Sequence, residues 1–282
     1  MQLPQYFFNG QLSGEISAYD RGLAYGDGLF ETCRIVRGKL PLRELHMARL
    51  FQGAAILKID IDNAEINCHI DSVLALIDAK AIEHCLLKII VTRGVGGRGY
   101  KTDSGVKPNY LIFLLPATAH VKHTGFNGVS VRFCEHRLNS CGIFGGIKHL
   151  NRLDQIVARL EWQDEVEDGL LLDASSNLVE SISGNIFAVI DGQCVTPLLQ
   201  GVGVRGVLRQ WLIEKLNARN IDVIERDISR EEVLMASEVF ITNAVVGVLP
   251  IIRIHSSENQ LLKSLSIGSI TQLGQQMISE IF

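Results

Sequence analysis

Two apolar pieces on either side of Asn9-Gly10, Tyr6-Phe7-Phe8 and Gln11-Leu12, open the chain as a β-hairpin, and this opening constrains the rest of the first domain. Asn-Gly readily adopts the positive φ angles of a tight hairpin turn, so the first element has to be sheet. Phe30 to Val36, Arg37-Gly38-Lys39 and Leu40 to Leu42 predict a second hairpin. The spacing then changes. Leu45, Ala48, Leu50, Ala54 and Leu57, and after them Ile66, Ile70, Val73, Leu74 and Ile77, recur at the helical period. Two helices are expected to cover one face of the sheet.

Cys85 to Thr92 and Tyr110 to Leu115 continue as strands on either side of a glycine-rich loop, Arg93 to Tyr100. Strand periodicity stops at Pro116-Ala117-Thr118-Ala119-His120 and restarts at Val129 to Phe133, which places a domain boundary there. Residues 1–116 are expected to form a smaller α+β domain and residues 117–282 a larger one. The larger part should hold a helix from about Arg152 to Glu167 and strands at Gly169 to Asp173 and Asn185 to Ile190. A helix from about Gly206 to Asn217 and a buried strand at Glu238 to Thr242 complete it. Hairpins mixed with strand–helix units make the fold class α+β with two domains, and 282 residues suffice for two such cores.

Composition narrows the function. Hydrophobic residues at 47% and charged residues at 21% describe a globular chain, and no segment approaches the about 18 unbroken apolar residues of a membrane span. A net charge of -4 and a pI near 6.1 argue against a nucleic-acid partner, though local arginines still suit a small anion. Cys33, Cys68, Cys85, Cys134, Cys141 and Cys194 are scattered, without the spacing of a metal site, so no metal is expected. They read as reduced thiols, and with no signal-peptide pattern at Met1 to Tyr6 the expected location is cytoplasmic.

The chemistry starts at Lys148, which closes a run from Leu138 to Ile147 containing no charge. An ammonium held against apolar surface loses hydration and yields neutral amine more easily, the state a Schiff-base lysine requires. A lysine reaching into water on its long stem is the alternative. Arg93 and Arg98 sit among four glycines in the loop, where guanidinium groups suit a carboxylate, or where the loop is merely solvated. Gly201 to Arg209 turns into a helical pattern, offering backbone amides to a phosphate or making only a tight turn. Thr242-Asn243 ends a buried strand, Arg49 lies on the first long helix, and Glu180 precedes an apolar strand. A carboxylate such as Glu180 suits a protonated heterocyclic nitrogen. Amine, acid, arginine and amides together match the needs of pyridoxal phosphate.

Asp20-Arg21-Gly22, Tyr25-Gly26-Asp27-Gly28-Leu29-Phe30-Glu31-Thr32, the Arg93 to Tyr100 loop, Gly146 to Leu153, and Glu180 with Asn185-Ile186-Phe187 carry a resemblance along nearly the whole chain. The chain resembles the class IV, branched-chain-aminotransferase-like pyridoxal phosphate enzymes, and within them the aminodeoxychorismate lyases. The resemblance implies the two-domain D-amino-acid-aminotransferase-like fold, with Lys148, in the larger domain, holding pyridoxal 5'-phosphate covalently and carrying protons. It implies that Glu180 pairs with the ring nitrogen, and that Arg49, the amides of Val204 and Arg205, Thr242 and Asn243 hold the phosphate. In related D-amino-acid aminotransferases a loop arginine and histidine bind the substrate carboxylate. Arg98 matches the arginine, Tyr100 replaces the histidine, and Phe30 replaces a carboxylate-binding tyrosine. Arg152 stands where branched-chain aminotransferases tend to carry a cofactor-contacting tyrosine.

The implied activity is conversion of 4-amino-4-deoxychorismate to 4-aminobenzoate and pyruvate in folate biosynthesis. Arg98 and then Arg93 are the expected carboxylate ligands, with Tyr100 and Phe30 as further substrate contacts. A D-amino-acid or branched-chain aminotransferase on the same fold is the rival activity, and a non-catalytic cofactor-binding protein the rival of another class. The resemblance also implies a homodimer in which the loop around Arg98 reaches the neighbouring subunit's site.

Overall fold

The computed structural model describes residues 3, 5–117, 127–139 and 142–282. Thr118 to His120 of the expected linker, and Cys141, lie outside these residues. The chain forms two compact units: the first takes the described residues of Met1–Thr118 together with Ile147–Asn151, and the second takes those of Ala119–Gly146 and Arg152–Phe282. Lys148, expected in the larger part, thus falls in the first unit, because its segment pairs with the sheet there through Leu29 and His149.

The first unit is built on a five-stranded antiparallel sheet. Its strands are β1 (Gln5–Phe8), β2 (Gln11–Leu12), β3 (Gly28–Val36), β4 (His84–Thr92) and β5 (Asn109–Pro116), in the order β2-β1-β5-β4-β3. Asn9 and Gly10 turn the opening hairpin with φ of 46° and 80°. Between β2 and β3 lies α1 (Arg21–Tyr25), whose first amides are capped by the Asp20 carboxylate. Helices α2 (Arg43–Leu57) and α3 (Asn63–Ala79) form where the spacing expects them. Ile66, Ile70, Val73 and Ile77 of α3 share a buried core with Cys33, Ile35, Leu87, Ile89, Ile112 and Leu114 of the sheet. Leu40 to Leu42 is not a strand. The pairing ends at Val36 and Lys39, Pro41 lacks an amide to donate, and Leu42 enters α2 at a φ of 57°.

Among the described residues the second unit holds nine strands. In chain order they are β6 (Val129–Leu138), β7 (Asp168–Asp173), β8 (Leu178–Ser181), β9 (Asn185–Ile190), β10 (Gln193–Pro197), β11 (Val223–Arg226), β12 (Glu238–Asn243), β13 (Gly247–His255) and β14 (Leu261–Ser264). They lie in the order β11-β10-β9-β12-β13-β6-β7-β8, with β14 paired to β13. The α-helices among its described residues are α4 (Leu153–Arg159), α5 (Val207–Asn217), α6 (Arg230–Met235) and α7 (Ser269–Ser279). Every residue of β9 is buried, and after Asn185 it reads as an unbroken apolar run from Ile186 to Ile190, which fits a central strand. The helix expected to reach Glu167 stops at Arg159. Ala158, Trp162 and Val166 are all buried at helical spacing, but looped backbone delivers the last two. Arg159 donates to the carbonyls of Trp162 and Gln163, and the Trp162 indole donates to the Val166 carbonyl. Among the described residues no helix is long and apolar enough to cross a membrane.

Candidate active site

Strand β3 ends the first sheet, and Ile147–Asn151 runs along its edge. The Phe30 amide donates to the Lys148 carbonyl at 2.9 Å and the Leu150 amide to the Gly28 carbonyl at 3.0 Å. The Asn151 side chain adds a bond to the Gly26 carbonyl at 3.0 Å, while Ile147 is buried in the core. With its backbone fixed this way, Lys148 carries its amine to 4.4 Å from the centre of the Phe30 ring. The surface beside this ammonium is an aromatic face, which attracts a cation through its ring electrons, where the sequence reading expects a merely apolar contact.

On the opposite face of β3, alternation turns Glu31 and Cys33 inward against α2. His46 and Arg49, three apart on that helix, meet the Glu31 carboxylate. Arg49 grips it as a fork, Nε to Oε1 at 2.8 Å and Nη2 to Oε2 at 2.5 Å, and His46 Nδ1 lies 2.7 Å from Oε2. Burial pushes the Glu31 carboxyl up, but the Arg49 charge and the His46 hydrogen bond outweigh it and bring it to about 2. Burial holds the Cys33 thiol well above its usual range, which the Glu31 carboxylate reinforces, so this cysteine stays neutral. Glu31, Cys33 and His46 have ligand atoms close enough together for a metal. Their chemistry opposes it, because both carboxylate oxygens engage the guanidinium and the thiol keeps its proton.

The two loop arginines part company. Arg93 donates to both Asp27 oxygens at 2.7 and 2.9 Å and to the carbonyls of Leu57 and Lys58 at the end of α2. Arg21 joins the same Asp27 carboxylate at 3.0 Å and reaches the Gly99 carbonyl at 2.9 Å. The Asp27 carboxyl is raised by burial and lowered further by these guanidinium groups, ending below its usual range. Arg93 is thus held as a structural clamp, with Nε and both terminal nitrogens donating within the first unit. Arg98 is exposed and makes no ion pair among the described residues. Tyr100 is 90% exposed, its ring 5.8 Å from that of Tyr25.

In the second unit Glu180 lies within β8 itself and is only 4% exposed, so it is no solvated edge charge. Its Oε2 accepts from the Val204 amide at 2.8 Å and its Oε1 from Gln155 Nε2 at 3.4 Å. Gly203, at a φ of 74°, makes the first bond possible: a Cβ there would stand 2.9 Å from Val179. Burial pushes the Arg152 guanidinium below its usual range, against the opposing pull of the Glu180 and Asp154 carboxylates.

Two expected phosphate donors are otherwise engaged. The Val204 amide serves Glu180, and the Arg205 amide donates to the Gly146 carbonyl at 3.0 Å. The Asn243 side chain is engaged as well. Its side-chain oxygen accepts from the amides of Val245 and Val246 and its nitrogen donates to the Ser183 carbonyl, so the side chain closes the β12–β13 turn. Thr242 differs: its hydroxyl is buried with no hydrogen-bond partner among the described residues. Glu31, His46 and Gln155 carry no role that sequence reasoning assigns. A lone acid at an inward position of an apolar strand is the available signal for Glu31.

The defining pattern of the family Amino-transferase class IV matches residues 28–254, and the chain belongs to that family. Its fold is the α+β, two-domain fold of these enzymes. It is 30% identical over 268 residues to the aminodeoxychorismate lyase of Vibrio harveyi, covering 95% of this chain and 97% of the relative. The crystal structure of 4-amino-4-deoxychorismate lyase from Pseudomonas aeruginosa superposes with a TM-score of 0.87 at 35% identity, over 98% of each chain. The D-alanine aminotransferase of Bacillus licheniformis is 26% identical over 270 residues, covering 94% of this chain and 92% of the relative.

The family depends on pyridoxal phosphate, and the side chains present fit it. In the first unit an amine lies against an aromatic face and a guanidinium is held in one plane. In the second, a buried carboxylate sits on the edge strand, and the orphaned Thr242 hydroxyl lacks the acceptor that a phosphate oxygen would supply.

Proposed function

We propose that this chain is a pyridoxal phosphate-dependent lyase that converts 4-amino-4-deoxychorismate to 4-aminobenzoate and pyruvate. The observation that carries the reading is the Lys148 amine over the Phe30 ring. It puts an apolar ring beside the amine at the position where the resemblance to D-amino-acid aminotransferases implies a carboxylate-binding phenol. The similarity to lyases from Vibrio harveyi and Pseudomonas aeruginosa supports the same choice.

When bound, pyridoxal phosphate supplies an electron sink for the charge left on the substrate carbon. Lys148 Nζ would be the covalent anchor of the cofactor and, when free, the base that removes the proton from the carbon bearing the substrate amine. The adjacent carbon–oxygen bond then breaks, the enolpyruvyl group leaves, and Lys148 delivers one proton to its methylene carbon to give pyruvate. Loss of that proton and that oxygen leaves an aromatic ring, which supplies the driving force. Glu180 holds the ring nitrogen protonated. Arg49 and the Thr242 hydroxyl hold the phosphate, and Arg98 takes a substrate carboxylate. The protein acts as a homodimer in this reading, which sedimentation of the purified chain would test.

The deciding experiment supplies purified protein with aminodeoxychorismate and measures 4-aminobenzoate and pyruvate. Equal amounts of both are expected. Failure to form them, with conversion of D-alanine or a branched-chain amino acid to its 2-oxo acid, would replace the lyase by a transaminase. Lys148→Ala should abolish both turnover and the visible absorption band that borohydride removes. A Lys148→Ala protein that keeps a reducible band would remove the lysine from its role.

A further inference from the structure

The buried triad behind β3 offers a role that the lyase reading leaves open. We infer that Glu31 is a positioning residue: its carboxylate, braced by His46, fixes the plane in which Arg49 presents its guanidinium to the cofactor's phosphate. The inference rests on Arg49 holding that phosphate.

Three features of the triad lead to it. The fork engages Nε and Nη2 of Arg49 on the two separate oxygens of Glu31, which sets the plane of the guanidinium and its rotation about its own stem. Because an ionised carboxylate only accepts, His46 Nδ1 must carry the hydrogen, and this second bond at 2.7 Å prevents Glu31 from turning with the arginine. Exposure is one-sided as well: the Glu31 and His46 side chains keep 1% each, while Arg49 keeps 11%. The acid and the imidazole are sealed behind the guanidinium, and the guanidinium alone of the three reaches outward.

Stability gives a weaker account of the same arrangement. A buried ion pair loses the hydration of both charges, and packed apolar residues of similar volume often serve a core as well. Orientation is what apolar residues cannot provide. The outer partners that hold a ligating side chain in place typically affect binding by about 10- to 100-fold at metal sites, and the same logic applies to a guanidinium that binds an anion.

The test separates phosphate binding from folding by comparing two ligands in one protein. Equilibrium dialysis of the full-length chain against pyridoxal phosphate and against pyridoxal gives two dissociation constants, and the pyridoxal constant divided by the pyridoxal phosphate constant measures the grip on the phosphate alone. Glu31→Gln and Glu31→Asp are each expected to lower that ratio by about tenfold or more, with pyridoxal affinity kept within about threefold. Glu31→Asp retains the charge that the buried guanidinium needs, so it serves where the glutamine variant fails to fold. His46→Leu should lower the ratio, and His46→Asn, whose amide can stand in for the Nδ1 donor, should restore it.

Equal weakening of both ligands in the Glu31 variants would make the residue structural and overturn the inference. A ratio lowered by Arg49→Leu but by neither Glu31 variant would overturn it while leaving Arg49 on the phosphate. An unchanged ratio in Arg49→Leu would remove both.

Discussion

The base of the glycine-rich loop and the end of β12 are both polar and both withdrawn from water, yet they are built in opposite ways. At the loop base the guanidinium groups are engaged by the fold: Arg93 holds Asp27 and two helix-end carbonyls, and Arg21 ties the same carboxylate to the Gly99 carbonyl. At the end of β12 the Thr242 hydroxyl is buried with no partner among the described residues, although its neighbour Asn243 is fully used. A closed polar network explains itself as structure. A buried hydroxyl without a partner among the described residues leaves room for a water or a ligand oxygen to accept from it, since such groups are rarely left unpaired in native proteins.

The sharpest way to break this contrast is Arg93→Ala. It leaves Asp27 with one guanidinium instead of two and strips two helix-end carbonyls of their donor, so unfolding in urea should show a loss of roughly 3–5 kcal/mol. The Michaelis constant of the folded enzyme should stay within about twofold. Unchanged stability with a tenfold higher constant would return Arg93 to the substrate.

The acid limb comes next. Glu31 has its folded value depressed to about 2 from an ordinary 4.5, so its contribution is fully present above about pH 4.5 and is lost as pH falls toward 2. The size is on the order of 3 kcal/mol. Wild-type protein should lose stability across that window, and Glu31→Gln should show a flatter profile there, measured by denaturant midpoints at fixed pH. At the exposed end of the loop, Arg98→Ala should raise the substrate's Michaelis constant about tenfold while moving stability by less than about 0.5 kcal/mol.

How much of this is legible in the sequence depends on which residues carry period and which carry only partners. The hairpin at Asn9-Gly10, helices α2 and α3, and the apolar run of β9 declare themselves through spacing, and each forms where the pattern puts it. Strand β8 is short and holds Glu180 with Ser181, so it offers no alternation to read, and its acid resembles a surface charge. The end of α4 is invisible for another reason: Trp162 and Val166 keep helical spacing while the backbone loops, held by Arg159 and the indole nitrogen. At the site, residue type identifies Lys148 and Glu180 as candidates, but nothing in a sequence says which donors a fold will consume. Arg93, the amides of Val204 and Arg205, and the Asn243 side chain are chemically suitable, and internal acceptors take them all.

Thr242→Val tests the open half of the contrast with the smallest change. Valine keeps the branched shape of threonine and removes only the hydroxyl, which here makes no internal hydrogen bond, so the folded chain loses no contact it had. Removing an unsatisfied buried polar group tends toward neutrality or a gain, and the denaturant midpoint should shift by no more than about 0.5 kcal/mol toward lower stability, or rise. Binding should respond differently. If the hydroxyl donates to the phosphate, pyridoxal phosphate affinity falls about fivefold, in line with about 1 kcal/mol for one hydrogen bond, and pyridoxal affinity does not change. A loss of stability above about 1 kcal/mol with no change in the affinity ratio would mean that Thr242 belongs with Arg93, as a polar group the fold consumes for itself.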